Sequence, residues 1–247
     1  MSLPAQPNQS LIDGLAVLAA LSGAAEPVGS RELARRLALE PTRVNRLLKT
    51  LAALGLAEQD PARRYRPGPA VHVLAAQSLH GSGLIRRALP HLESLHRHAM
   101  IVALGVLWRD QVCYLYHGEP GMAAAEALGR IALRPATLTG VGTMLLASRS
   151  NAEIRSLYGK SPIPNHSSPD DLLRLLERAR RDECVRVVTQ RSPRRATVAV
   201  PVGATRYAAI ALSGPIDAAD TPRIAALLRA AALAIDPDSP QPKEDRP

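Results

Sequence analysis

Residues 30–54 read SRELARRLALEPTRVNRLLKTLAAL, a pattern of two short helices joined by a tight turn. In the second helix, Val44, Leu47, Leu48, Leu51 and Leu54 recur at helical spacing and form an apolar face. At about 100° per residue, Thr42, Asn45, Arg46 and Lys49 fall on the opposite side. Hydrogen-bonding and cationic side chains on an exposed helical face suit base edges and phosphates. A basic segment with one tyrosine follows, DPARRYR at residues 60–66, and reads as a hairpin. Helix, turn, helix and basic hairpin together are the plan of a winged DNA reader.

The helix ends are legible too. Ser30 is placed to cap the first helix by accepting a backbone N–H, and Glu32 lies in its first turn, where the dipole favours an anion. Leu33, Ala34 and Leu37 give that helix a buried side. Pro41 fits the first position of the second helix, which needs no donor. Gly55 suits a left-handed residue past its end. Upstream, Leu11, Leu15, Leu18 and Leu21 mark a helix that can close a three-helix core. The expected DNA-binding residues are Ser30, Arg31, Thr42, Arg43, Asn45, Arg46 and Lys49, with Arg63, Arg64 and Tyr65 of the hairpin. Arg and Lys would position the reader on phosphate, and Thr42, Arg43, Asn45 and Arg46 would meet base edges. An ordinary helical hairpin with a solvated face is the plainer alternative. The short turn, the polar face and the basic wing occurring together favour DNA.

The chain has 247 residues, 46% of them hydrophobic, enough to bury a core in one or two domains. Phe is absent, so Leu, Ala and Val must fill that core. The formal charge of +9 favours an acidic partner, nucleic acid or an anionic membrane. Its distribution separates the two, because Arg31, Arg35, Arg36, Arg43, Arg46, Lys49, Arg63, Arg64 and Arg66 gather in the proposed reader. A second cluster, Arg186, Arg191, Arg194 and Arg195, has no motif around it. Two cysteines, Cys113 and Cys184, argue against a disulfide framework and for a reducing, cytoplasmic compartment. The first nine residues carry no Lys or Arg, and no run approaches the ~18 apolar residues of a membrane span.

Along the chain, residues 9–68 form the winged reader, residues 69–83 a linker helix broken at Gly81-Ser-Gly83, residues 84–236 a larger domain, and residues 237–247 a tail rich in Pro and charge. The larger domain opens with a helix carrying Leu84, Leu89, Leu92 and Leu95, in which Pro90 should force a late start or a kink. Strands are expected at 100–108, 111–117, 185–190, 197–202 and 206–213, and helices at 139–147, 151–158, 169–181 and 219–235. Strands clustered among helices mean an α+β domain with a mainly antiparallel sheet.

No nucleophile elbow, zincin helix, C-x-x-C or P-loop is present. His91, His96 and His98 lie close in sequence, but no cysteine or paired carboxylate completes a metal set. No catalytic residue, cofactor or metal is expected, and the chain does not read as an enzyme. Gly140-Val-Gly142 opens a helix. Small residues there either expose N–H groups to the oxygen of a small anion or allow close helix packing.

Three stretches carry a resemblance: PTRVNRLL (41–48) with LGL (54–56) and RYRPG (64–68); LRPATLTGVGTMLLA (133–147); and VAVPV (198–202) with AIALSGP (209–215). In this order and spacing, residues 9–236 resemble the IclR family of bacterial transcription regulators. The resemblance implies a winged helix-turn-helix domain, a linker helix and a GAF-like C-terminal effector domain. It also implies a homodimer or dimer of dimers on double-stranded DNA, with an inverted-repeat operator and no membrane partner, and a small-molecule effector. The effector site would take Thr139, Gly140 and Val141 from the small-residue loop and Val187, Thr197, Ala211 and Ser213 from the late strands. The chain departs from the family pattern around residues 187–190, often acidic, at Arg194, usually glycine, and at Thr197, frequently cysteine. The spacing between Gly129 and Pro135 is two residues longer than usual. Two readings follow: a regulator whose operator binding answers to an effector, and a constitutive DNA binder whose C-terminal domain only oligomerises.

Overall fold

The computed structural model describes residues 5–159, 162–188 and 195–240. Positions 189 and 190 of the expected strand, Arg191, Arg194 and the tail from 241 lie outside them. The chain divides into two compact units, one ending at Gly83 and the other beginning at Leu84.

The first unit contains α1 (Gln9–Ser22), β1 (Val28–Gly29), α2 (Ser30–Leu37), α3 (Pro41–Ala53), β2 (Ala57–Gln59), β3 (Arg64–Pro67) and α4 (Pro69–Ser82). The strands form an antiparallel sheet in the order β1-β3-β2, with Tyr65 opposite both Val28 and Gln59. The inner face of α1 is Asp13, Val17 and Leu21. Leu11 and Leu15 face outward, contrary to expectation, because the seam follows positions 13, 17 and 21, and Gly14 lies against Leu47. Val17, Leu21, Leu33, Val44 and Leu48 are fully buried together.

At α2 the N-cap is Gly29, and Ser30 already lies in the helix without capping it. The chain enters directly from β1, which leaves no free residue for Ser30 to cap from. Ala38 closes α2 in a left-handed conformation, and Pro41 stands in the first turn of α3. Gly55 has φ +71°, where a side chain is strained. Leu54 is 63% exposed, so the apolar stripe of α3 ends at Leu51. Its backbone has left the helix by then, and its side chain no longer follows the stripe. Helix α4 runs through Gly81 and Ser82 and stops only at Gly83, in a left-handed turn. None of its 14 residues is buried.

The second unit contains α5 (Leu84–Leu95), β4 (Ile101–Trp108), β5 (Gln111–Gly118), α6 (Ala124–Ala127), β6 (Arg134–Pro135), α7 (Gly140–Leu146), α8 (Asn151–Tyr158), α9 (Pro169–Asp182), β7 (Val185–Val188), β8 (Ala196–Val202), β9 (Ala208–Gly214) and α10 (Thr221–Ile235). Pro90 neither delays α5 nor ends it. The buried Leu84, Ala88, Leu92 and Leu95 anchor the helix on both sides of the missing donor. The six strands pair antiparallel in the order β6-β5-β4-β9-β8-β7. The fold is α+β with a mainly antiparallel sheet, as the strand pattern implied.

The two faces of the sheet differ. One carries Val198, Val200, Val202, Ile210 and Leu212 under α5 and α10. The other carries Ala103, Ala199, Ala209 and Ala211 under α7, α8 and α9. Alanines leave shallow relief, so α7 lies close to the strands. Every residue of α7 is buried.

Candidate functional site

Helix α3 presents Thr42, Arg46 and Lys49 to solvent, with Asn45 half-buried beside them. Thr50 donates to the Arg46 carbonyl at 3.1 Å. Arg43 behaves differently. Its Nε lies 2.6 Å from Asp13 Oδ2, and Asp13 Oδ1 accepts from Gln9 Nε2 at 2.7 Å. Its guanidinium is thus turned back onto α1, away from the position expected of a base-edge contact.

The cations of this unit divide by partner. Arg36 pairs with Glu32, Arg43 with Asp13, Arg64 with Asp60 and Arg66 with Glu58. Among the described residues, Arg31, Arg35, Arg46, Lys49 and Arg63 form no ion pair. Asp60 shapes the wing turn, accepting from the Arg64 N–H at 2.8 Å and from its Nε at 3.2 Å. Arg63 sits exposed in that turn with φ +61°. Tyr65 is a correction: only 2% exposed, it is the central strand's core residue and cannot meet DNA with its ring. The period-2 alternation of β3 places Arg64 and Arg66 outward and Tyr65 inward.

In the second unit the expected sensing residues come together. Across the strands, Val187 is opposite Thr197, Thr197 opposite Ser213, and Ala211 lies between Ala199 and Ala103. Thr197 Oγ1 donates to Ser213 Oγ at 3.0 Å. A Cβ added to Gly140 would meet Thr197 Cγ2 at 2.7 Å. Thr139 caps α7, its Oγ1 accepting from the Gly142 N–H at 2.8 Å. Close packing therefore accounts for the small residues here. The methyl of Thr197 takes the space over Gly140, and Thr139 takes an N–H that the sequence had offered to an anion. Val141 is buried in the same cluster.

Two residues of this face escaped the sequence reading. Tyr114 packs against the α7 cluster, and its ring meets His117 edge-on at 5.4 Å between centroids. Burial raises the Tyr114 hydroxyl above its ordinary range, offset by a bond to Thr139 and by the charge of Arg134. Burial, then Arg130, pushes His117 below its ordinary value, and its buried Nδ1 has no hydrogen-bond partner. Elsewhere, His96 bonds the Tyr116 hydroxyl at 2.7 Å. Both cysteines are free thiols, and burial raises Cys184 to about 11. Among the described residues no three His, Cys, Asp or Glu side chains are grouped to hold a metal ion, and no helix is long and apolar enough to cross a membrane.

Residues 10–61 match the IclR helix-turn-helix domain. The HTH-type transcriptional regulator BhcR of Paracoccus denitrificans is 30% identical over 151 residues, which are 60% of this chain and 48% of that protein. The match thus spans about half the length of that relative. Among solved structures, an IclR homolog of Microbacterium hydrocarbonoxydans complexed with 4-hydroxybenzoate is 25% identical, with a TM-score of 0.66 over 93% of this chain and 98% of that one. An IclR transcriptional regulator from a Silicibacter species shares 21% identity and a TM-score of 0.77 over 96% and 100% of the two chains. The IclR family regulator of Brucella abortus gives 21% and 0.76 over 97% of each.

Proposed function

We propose that the chain, whose residues 10–61 match the IclR helix-turn-helix domain, is an IclR-family transcriptional regulator that binds an operator in double-stranded DNA and answers to a small-molecule effector. The observation that carries DNA binding is the polar face of α3, where Thr42, Asn45, Arg46 and Lys49 stand and where Arg46 and Lys49 form no ion pair among the described residues, together with the exposed Arg63 of the wing. Cations of this kind position the protein on phosphate, and the polar side chains of α3 read base edges. Selection from random double-stranded DNA tests it and should return an inverted repeat with half-sites about one helical turn apart or a multiple of it. Recovery of no preferred sequence would refute it.

The working species is a homodimer or a dimer of dimers. Helix α4 supports this, since a helix without a buried face gains little stability alone, and Val73, Leu74 and Leu79 stand exposed on it. The effector site is the α7 face, at Thr139, Gly140, Val141, Val187, Thr197, Ala211 and Ser213, with Tyr114 and His117 added. The 4-hydroxybenzoate complex of the similar Microbacterium protein supports a ligand in this fold. An effector would shift the balance between DNA-competent and incompetent arrangements by its differential affinity for them. The protein works in the cytoplasm, is not an enzyme and uses no cofactor. The constitutive reading keeps one specific support, the Thr197 methyl that fills the space over Gly140. A ligand-dependent shift in melting temperature would decide against it.

A further inference from the structure

We propose that Arg43 is a positioning residue: its ion pair with Asp13 fixes the recognition helix against α1, and operator sequence is read by Thr42, Asn45 and Arg46 without it. The inference rests on the DNA-binding reading of α3. Asp13 is only 4% exposed, on a helix face that otherwise buries Val17 and Leu21. A carboxylate taken out of water in this way must be paired, and Gln9 and Arg43 supply its partners at 2.7 and 2.6 Å. The ion pair is a polar tie between α1 and α3 beside the apolar seam of Val17, Leu21, Val44 and Leu48. That seam alone is non-directional. An ion pair at the third residue of α3 adds a contact that only these two side chains can make, at the end of the helix that would enter the groove.

The same ion pair removes Arg43 from the reading set. To reach a base, its guanidinium would have to leave a buried carboxylate with Gln9 as its remaining partner and no compensating charge. Arg46 carries no such obligation: it is exposed and has no ion-pair partner among the described residues. Two arginines three positions apart on one helix thus have different duties, which residue type and spacing do not reveal.

The test uses the full chain, its selected operator and random-sequence DNA of equal length, with Asp13→Asn, Arg43→Ala and the double variant. Asp13→Asn is isosteric and keeps the cation, so it guards against a variant that merely fails to fold. Each single variant should lower the ratio of operator to random-DNA affinity by about tenfold, the double variant should lose no more than either single one, and melting temperatures should show the same non-additivity. The Arg43→Ala penalty should be equal on every single-base operator variant, with the slope of log affinity against log salt unchanged. Loss of preference at one base position, with Asp13→Asn neutral, would make Arg43 a base reader and overturn the assignment. A slope lowered by about one would make it a phosphate contact and overturn it equally. A wild type that binds no DNA, despite coupled melting temperatures, would refute the functional reading and this inference with it.

Discussion

Gly140 and Thr197 interlock: a methyl carbon built on the glycine would stand 2.7 Å from Thr197 Cγ2 and 3.1 Å from its Cβ. The threonine is itself held, donating to Ser213 across the next strand at 3.0 Å. Helix α7 can lie this near the sheet because Ala103, Ala199, Ala209 and Ala211 line the face beneath it. The helix and strands β8 and β9 are thus tied at a single close contact.

Gly140→Ala should cost about 1–3 kcal/mol of stability, the usual toll of overpacking a tight contact. Adding Thr197→Ser, which removes Cγ2 and keeps the hydroxyl on Ser213, should recover much of that loss. Urea denaturation of the two single variants and the double variant measures the coupling. Strictly additive losses would show that the two residues do not press on each other.

The sequence carried the order of elements well, because long periodic segments announce themselves. The pattern of residues 151–158 predicts a helix, and the helix has those ends. What escaped depended on local geometry that periodicity does not encode. A bulge between Leu104 and Gly105 shifts the register of β5, so that Tyr114 is opposite Gly105 while His117 is opposite Ala103. Simple alternation separates Tyr114 from His117, and the bulge puts both on the α7 face. The same limit applied to Tyr65. Its place in a basic hairpin suggested DNA, and only the pairing with Val28 and Gln59 shows which way it points. Arg43 could not be distinguished from Arg46 because its partner, Asp13, is thirty residues away.

Tyr65 should matter for folding and not for DNA. Its ring is in the core of the reader, so Tyr65→Ala should cost on the order of 3–5 kcal/mol, as for other large buried aromatics. Tyr65→Phe keeps the ring and should leave operator affinity within about twofold, a change of less than 0.5 kcal/mol. Fluorescence anisotropy on operator DNA checks this. A large loss on removing the hydroxyl alone would return Tyr65 to the interface.

Arg46→Ala should weaken specific binding by about 1–3 kcal/mol if the guanidinium reads a base bidentately. If it holds a phosphate instead, affinity for all sequences should drop together and the salt slope should fall by about one. A dimer making on the order of six to ten phosphate contacts should lose roughly 10³- to 10⁵-fold in affinity between 50 and 200 mM salt. Titration of operator and random DNA at several salt concentrations separates these outcomes, and an unchanged affinity with an unchanged slope denies Arg46 both roles.

His117 gives the fold an acid-side sensitivity. Its folded value lies below the ordinary 6.5 because burial and Arg130 disfavour the charged ring. The unfolded chain therefore binds the proton more readily than the folded one. Its contribution is present above about pH 6.5 and is lost as pH falls below that value toward the folded one. His98 is shifted the same way, so the comparison must be made against a variant. Melting temperature should decline less between pH 7 and pH 5 in His117→Gln than in wild type. Parallel curves would mean that His117 is not desolvated in solution.

The proposed effector face carries hydroxyls at Thr139, Thr197, Ser213 and Tyr114 around α7, which covers the alanines of the sheet. Buried polar groups need partners, and apolar surface gains by leaving water. If it holds the effector, the face suits a small compound with a polar end and an apolar body. Thr197→Val keeps a methyl against Gly140 while removing the hydroxyl, so the fold should survive. If that hydroxyl meets the ligand, the variant should weaken the effector by about 1–3 kcal/mol, read as a rightward shift in a titration of operator release or tightening. Ser213→Ala, which removes the partner of the Thr197 hydroxyl without adding bulk, should likewise weaken the response while leaving DNA binding in place. Equal responses in wild type and both variants would put the effector elsewhere on the chain. No response from any of them across a broad panel of metabolites would leave the second unit an oligomerisation domain, with the Thr197 methyl occupying the place of a ligand.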